Sequence, residues 1–152
     1  MSHHVALLAQ LLPLSLLSGL VLVGCGKEVG RLPFSHEATQ SAAVPLVAGK
    51  IDFWTDISVS YEGPAALTYQ IELQQGGQRV ANVACEALGH HDRKIGWVET
   101  GFGYSRSLRG SGRMICSAQL LKAGLTDVRA ALQFTTRPRV ATLVRADLVI
   151  KQ

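Results

Sequence analysis

The sequence has few cysteines and none of the common catalytic motifs. Only three cysteines occur in 152 residues, and Cys85 and Cys116 lie in no CxxC or CxxH arrangement that would indicate a zinc site. The chain has no P-loop and no dinucleotide-binding fingerprint, and Gly110-Ser111-Gly112 lacks the GxSxG spacing of a nucleophile elbow. We therefore expect no catalytic residue, no metal, no cofactor and no enzymatic activity.

The first 24 residues also lack every Asp, Glu, Lys and Arg, and they contain a leucine-rich apolar run from Val5 to Val23. A secretory signal combines a charged start, an apolar middle and a small residue at the cleavage point. The start departs from this pattern, because only the α-amino group and two histidines supply positive charge. An uncleaved transmembrane helix is the alternative, since the run nearly spans a hydrocarbon core of about 30 Å, although Pro13 and Gly19 weaken it.

The apolar run ends in Leu22-Val23-Gly24-Cys25, which resembles the lipobox of bacterial lipoproteins. The resemblance implies that residues 1–24 are a signal peptide, that the Cys25 sulfur receives diacylglycerol, and that the new α-amino group is acylated. The membrane is then a partner of the chain through this lipid. Gly26 stands where Asp commonly means retention in the inner membrane, which implies the outer membrane of a two-membrane bacterium. From CGKEVGR onward the chain also resembles small exported lipoproteins, which implies no activity.

Export also bears on the two remaining cysteines. With Cys25 modified, Cys85 and Cys116 are left as a pair in an oxidising compartment, which predicts one internal disulfide. Two separate buried thiols are the alternative.

The mature chain shows hydrophobic alternation with a period of two rather than a helical period. Residues 25–43 are small, polar and weakly patterned, which predicts a flexible stalk, although residues 27–34 could instead pair with a sheet edge or lie along the membrane. Residues 44–152 then predict one all-β domain, an antiparallel sandwich of about seven or eight strands. Turn signals include Gly76-Gly77, Gly101–Gly103, Gly110–Gly112 and Arg137–Arg139. One predicted apolar strand face contains Ile51, Phe53, Ile57, Val59 and Tyr61; the next contains Leu67, Tyr69, Ile71 and Leu73.

The segment 101–113 is the most suggestive candidate binding site. It places Arg106, Arg109 and Arg113 among glycines and serines, with Phe102 and Tyr104 close by. Guanidinium groups suit phosphate or carboxylate, and aromatic faces suit sugars. The alternative is a hairpin with solvated arginines. A net charge of +4 favours an acidic partner, whereas the spread of the basic residues and the lack of a binding motif argue against nucleic acid.

Three further groups of residues have structural as well as functional interpretations. His90-His91-Asp92 could bind a metal, but a solvated loop followed by Arg93-Lys94 is the better account. Asp52 and Asp56 share a strand face, as alternating polar residues do without any function. Asp147 interrupts an apolar strand, which predicts a buried carboxylate paired with Arg145 or Arg139.

Two tryptophans complete the candidates. Trp54 and Trp97 could stack on sugars if exposed, but packing under neighbouring groups is the favoured interpretation. The sequence thus predicts a membrane-anchored envelope lipoprotein that serves as a non-catalytic binding or accessory module. Its partner would be an envelope protein or an acidic glycan. A carbohydrate-binding module and an unrecognised hydrolase are the alternatives.

Overall fold

The computed structural model describes residues 26–152, and these residues form nine β-strands. The strands alternate along the chain with short turns, and all of their pairings are antiparallel. Their bounds are β1 Glu28–Leu32, β2 Ala38–Leu46, β3 Gly49–Glu62, β4 Ala66–Gln75, β5 Gln78–Glu86, β6 His91–Phe102, β7 Ser105–Leu120, β8 Gly124–Thr136 and β9 Val140–Lys151.

The strands assemble into two sheets that enclose one hydrophobic core. The five-stranded sheet has the order β1-β9-β3-β7-β6, and the four-stranded sheet has the order β2-β8-β4-β5. Consecutive strands often lie in different sheets, so the chain crosses the core repeatedly. The predicted all-β antiparallel sandwich is therefore confirmed, with one or two strands more than expected.

The alternation in β3 and β4 is what builds the core. Ile51, Phe53 and Ile57 of β3 are fully buried in the same core as Leu67 and Ile71 of β4, whereas Asp52, Asp56 and Ser58 of β3 are only partly buried. Burying a side chain of this size stabilises the fold by about 1.5–3 kcal/mol. This part of the sequence prediction is confirmed, because a strand with one buried face and one solvent-exposed face must alternate apolar and polar residues.

Tyr69 joins the two sheets through a polar contact inside the core. Its hydroxyl donates a hydrogen bond to the carbonyl oxygen of Ala146 on β9, at 2.8 Å, and lies 2.9 Å from the Thr55 hydroxyl on β3. Burial raises the pKa of Tyr69 well above its usual value. The Tyr69 hydroxyl is therefore neutral, and it has the hydrogen-bond partners that a buried hydroxyl requires.

Cys85 of β5 and Cys116 of β7 form the predicted disulfide, which is confirmed. The Cα atoms lie 5.6 Å apart, within the usual range for a disulfide. Because β5 and β7 belong to different sheets, the bond links the sheets covalently. It spans 31 residues, which corresponds to about 3–4 kcal/mol on the chain-entropy model.

The predicted stalk is corrected by the structure, because most of it is strand. β1 pairs with β9 and β2 pairs with β8, so both add to sheet edges. Sheet-edge pairing of residues 27–34 was the alternative interpretation, and β1 shows it. Leu32 and Phe34 are buried, and the Phe34 ring packs edge-on against Tyr69 at 5.8 Å. The sandwich therefore begins at Glu28 and not at residue 44.

Candidate binding surfaces

The segment 101–113 forms the end of β6, a tight turn and the first half of β7. The turn occupies Gly103 and Tyr104, and Gly103 has a φ of 57°, which a glycine adopts without strain. The backbone N–H of Gly63 donates to the Tyr104 carbonyl at 2.9 Å, which fixes the turn against the β3–β4 connection. The side chains of Phe102 and Tyr104 are 92% and 83% exposed. Two large aromatic groups thus project from a well-held turn.

The three candidate arginines do not converge on one site. Arg106 lies on the same side of β7 as the buried Leu108, whereas Arg109 and Arg113 lie on the other. Arg106 donates to the carbonyls of Gly103 and Ser105, both at 3.1 Å, and so closes its own turn. This part of the segment fits the alternative prediction of a hairpin.

Arg113 is engaged by neighbouring carboxylates. Its Nε donates to Asp92 Oδ1 at 2.7 Å, and its Nη1 lies 3.5 Å from Asp52 Oδ2. The hydrogen bond from Arg113 holds the pKa of Asp92 below its usual value. Asp52 also pairs with Lys50 at 3.0 Å. These contacts tie β3, β6 and β7 together and leave Arg113 little capacity for a ligand.

Arg109 differs from the other two, because its side chain forms no hydrogen bond or ion pair within residues 26–152. It faces Ser58 of β3, which in turn faces Arg145 of β9. Both arginines border an open depression of about 720 Å³ on the five-stranded sheet, next to Pro33 and Phe34. Arg145 is already bonded to Asp56 at 2.8 Å, so Arg109 is the free cation of this depression among the described residues.

The Gly110–Gly112 turn signal is wrong, because both glycines lie inside β7. A β-carbon added at Gly110 would lie 2.6 Å from the Trp97 Cα, and one added at Gly112 would lie 2.6 Å from the His91 ring. The pairing of β6 with β7 shifts register between Ile95 and Val98, which is where Trp97 crosses Gly110. The glycines are therefore needed for close approach of β6 and not for chain reversal.

The two tryptophans are packed rather than displayed, as the favoured interpretation held. Trp54 is only 3% exposed although it lies on the polar side of β3, and the Lys151 ammonium group lies over its ring, 3.9 Å from the ring centre. The Trp97 ring lies 4.7 Å from the His91 ring and 5.0 Å from the Lys94 ammonium group. Neither residue offers the open face on which a sugar stacks.

His91 is buried, so the predicted solvated loop is wrong for this residue, although His90 is exposed. Burial lowers the pKa of the His91 imidazole, and the charge of nearby Lys94 lowers it further. The ring fills the space that Gly112 leaves open. Within residues 26–152 no three potential ligands are grouped so as to hold a metal ion.

A charged network that the sequence analysis missed surrounds Arg31 of β1. Arg31 Nη1 donates to Asp147 Oδ2 at 2.9 Å and to Asp56 Oδ2 at 3.2 Å, and its Nε donates to Glu28 Oε1 at 2.9 Å. Asp147 is buried, as predicted, but its partner is Arg31 and not Arg145 or Arg139. Because Arg31 lay in the supposed stalk, no pattern in the sequence pointed to this pairing.

Comparisons with known proteins add nothing to these observations. No protein-family model, no curated protein and no solved structure matches the chain. Among residues 26–152 there is also no helix with the length and apolar character required to cross a membrane. The apolar run, the lipobox and Cys25 lie outside the described residues.

Proposed function

We propose that the protein is an exported lipoprotein, held to the cell envelope by lipid on Cys25, that serves as a non-catalytic accessory module. Its outer end, formed by Phe102 and Tyr104, binds another envelope protein. The observation that carries this proposal is the 92% and 83% exposure of these two side chains on a turn that the backbone holds in place. Large aromatic groups dominate the binding energy of many protein interfaces.

The position of the turn supports this assignment. β3 begins beside the chain end at Gln152 and finishes beside Tyr104, so the turn and Gly26 lie at opposite ends of the sandwich. β3 has 14 residues, which at about 3.4 Å each span about 45 Å. We call residues 102–104, with the exposed rings of Phe102 and Tyr104, the aromatic turn. A lipid at Cys25 would therefore hold the aromatic turn away from the bilayer. The rigid sandwich would provide the distance from the membrane that the stalk was expected to supply.

The charge of the chain favours an acidic partner surface. The net charge is +4, and the guanidinium group of Arg109 has no partner among the described residues. We assign the protein to the outer membrane, because the residue after Cys25 is Gly26 and not the Asp that commonly means retention in the inner membrane. The glycan-binding alternative receives less support than the protein-binding one, because Trp54 and Trp97 are packed. The carboxylates of Asp56 and Asp147 are paired with arginines. They are therefore not a free pair of carboxylates that could serve as acid and base in the alternative hydrolase.

Photo-crosslinking in cells tests the proposal. A photoreactive amino acid replaces Phe102 in the full chain, and a matched control replaces Ile115, which is 68% exposed on the outer surface of β7. We expect a discrete protein adduct at Phe102 only, together with an N-terminal peptide whose mass includes acyl chains on Cys25. Adducts at both positions, adducts with polymer alone, or none would contradict the binding role. An unmodified Cys25 would contradict the lipoprotein assignment.

A further inference from the structure

The end of the sandwich opposite the aromatic turn brings two turns side by side. The β2–β3 turn follows Leu46, and the β7–β8 turn follows Leu120. Leu46 pairs with Gly124, and Gly49 pairs with Leu120, so the two connections are neighbours. We call this surface the entry end, defined by Lys27, Val47, Leu121, Lys122 and Leu125.

The entry end exposes large apolar side chains at its turns. Leu121 is 88% exposed, Val47 60% and Leu125 67%. Leu121 also borders a surface cleft of about 400 Å³ that Val80 helps to line. Single exposed apolar residues are ordinary, but a group of them at one end of a small domain marks a contact surface.

Two lysines flank these apolar groups. Lys27 and Lys122 are both exposed, and within residues 26–152 neither forms an ion pair. The carboxylate next to Lys27 in the sequence, that of Glu28, pairs with Arg31 at 2.9 Å. Apolar side chains with free ammonium groups beside them match the chemistry of an anionic lipid surface, where acyl chains lie below a layer of phosphates.

Lys27, close to the start of the described residues, also lies at this end, and hydrogen bonds hold its backbone in place. The backbone N–H of Lys27 donates to the Gln152 carbonyl at 2.7 Å, and the Gln152 N–H donates to the Lys27 carbonyl at 3.1 Å. The Gln152 side chain bonds both backbone groups of Val47 at 2.9 Å. Lys27 is thus fixed beside the β2–β3 turn, and Cys25 precedes it by only two residues.

From these observations we propose that the entry end lies directly on the bilayer, with Val47 and Leu121 in the headgroup layer and Lys27 and Lys122 at lipid phosphates. This inference rests on the proposed lipid at Cys25, since two residues span at most about 7 Å. A lipid attached so close to the sandwich brings the membrane to the entry end. The contact would set the direction of the long axis and point the aromatic turn away from the bilayer.

The test uses the acylated full-length mature protein, reconstituted in vesicles of phosphatidylethanolamine and phosphatidylglycerol. An environment-sensitive fluorescent amino acid replaces Leu121 in one variant and Tyr104 in the other. We expect the Leu121 probe to shift its emission to shorter wavelength and to be quenched by spin-labelled lipids. The Tyr104 probe should do neither. Adding K27E and K122E to the Leu121 variant should reduce the quenching.

The possible outcomes separate this inference from the proposed function. Acyl chains on Cys25 with a water-exposed Leu121 probe would overturn the bilayer contact and leave the lipoprotein assignment intact. Equal quenching at Leu121 and Tyr104 would also overturn it, because the sandwich would then lie on its side. An unmodified Cys25 in the cell-derived protein would overturn both, since the contact would have lost the lipid that brings the membrane near.

Discussion

The imidazole ring of His91 lies directly over the Cα of Gly112, on the strand beside it. A β-carbon at Gly112 would approach the ring Cδ2 to 2.6 Å, which is closer than atoms of this kind can come. His91 is the first residue of the edge strand β6, and Met114 is its partner on β7. The contact therefore fixes where the edge strand joins the five-stranded sheet, and it accounts for a glycine that has no turn to form.

This contact predicts that Gly112→Ala destabilises the fold. The new methyl group must displace the buried His91 ring, and overpacking of this kind costs about 1–3 kcal/mol. Urea unfolding measures the change. Gly124→Ala is the matched control, because the nearest atom to an added β-carbon there is 3.6 Å away and the substitution should cost little. Equal effects of the two substitutions would show that the His91 contact has no special importance.

His91 should also make stability depend on pH. Burial lowers its pKa below the usual 6.5, so the unfolded chain binds a proton more readily than the folded one. The stabilisation from the neutral ring is complete above about pH 6.5 and is lost as the pH falls below that value. Thermal unfolding between about pH 7.5 and pH 5 should show a decline in Tm that His91→Phe reduces.

Three hydrogen-bonded carboxylates, those of Glu28, Glu37 and Asp92, lose their stabilising effect below this pH window. The pKa values of Glu28, Glu37 and Asp92 are all lowered by hydrogen bonds, so their stabilising contributions are lost only in more acidic solution. The exposed neighbour His90 serves as the control. If His90→Gln flattened the pH profile as much as His91→Phe, the buried ring would not be its cause.

The architecture could be predicted from the sequence where a strand has one buried face and one solvent-exposed face. β3 and β4 alternate apolar and polar residues because they lie between the core and solvent, and the sequence shows this directly. Most of β2 was missed, and β1 was expected only as an alternative to the stalk, because edge strands need few large apolar residues. Ala38 to Ala43 is mostly small and polar, and only pairing with β8 makes it a strand.

The candidate site could be predicted less well, because its geometry depends on strand faces and partners. The alternation along β7 separates Arg106 from Arg109 and Arg113, and no spacing rule shows that Asp92 will occupy Arg113. The aromatic turn was visible as Phe102 and Tyr104 flanking a glycine. Their exposure was not, since it depends on how far the hairpin extends beyond the core.

The disulfide should be a major contributor to stability. Removing it with Cys85→Ala and Cys116→Ala together should cost about 3–4 kcal/mol, because the unfolded chain regains the freedom of a 31-residue loop. Urea unfolding of the oxidised protein and of the double variant gives the difference. Treatment with a reducing agent should lower the stability of the wild type and leave the double variant unchanged. A loss below about 1 kcal/mol would contradict the prediction.

Arg31 should matter more than an ordinary surface arginine. Arg31→Met leaves Asp147, whose side chain is only 12% exposed, next to Asp56 without the shared cation. Losing a charged hydrogen-bond partner of partly buried groups costs about 1–3 kcal/mol. Arg79→Met, which breaks a pair between Glu72 and an arginine that is 61% exposed, should cost less than about 1 kcal/mol. Similar losses for both variants in urea unfolding would show that the network adds no more than a surface ion pair.

The aromatic turn should be separable from the fold. Phe102 and Tyr104 contribute almost nothing to the core, so replacing both with Ser should change the free energy of unfolding by no more than about 0.5 kcal/mol. The same double variant should lose the in-cell adduct formed from a photoreactive group at Thr100, which lies on β6 near the turn. An unchanged adduct with unchanged stability would mean that the turn is merely exposed, whereas a large loss of stability would mean that its side chains support the hairpin. Loss of the adduct at constant stability is the result that assigns the two rings to partner binding.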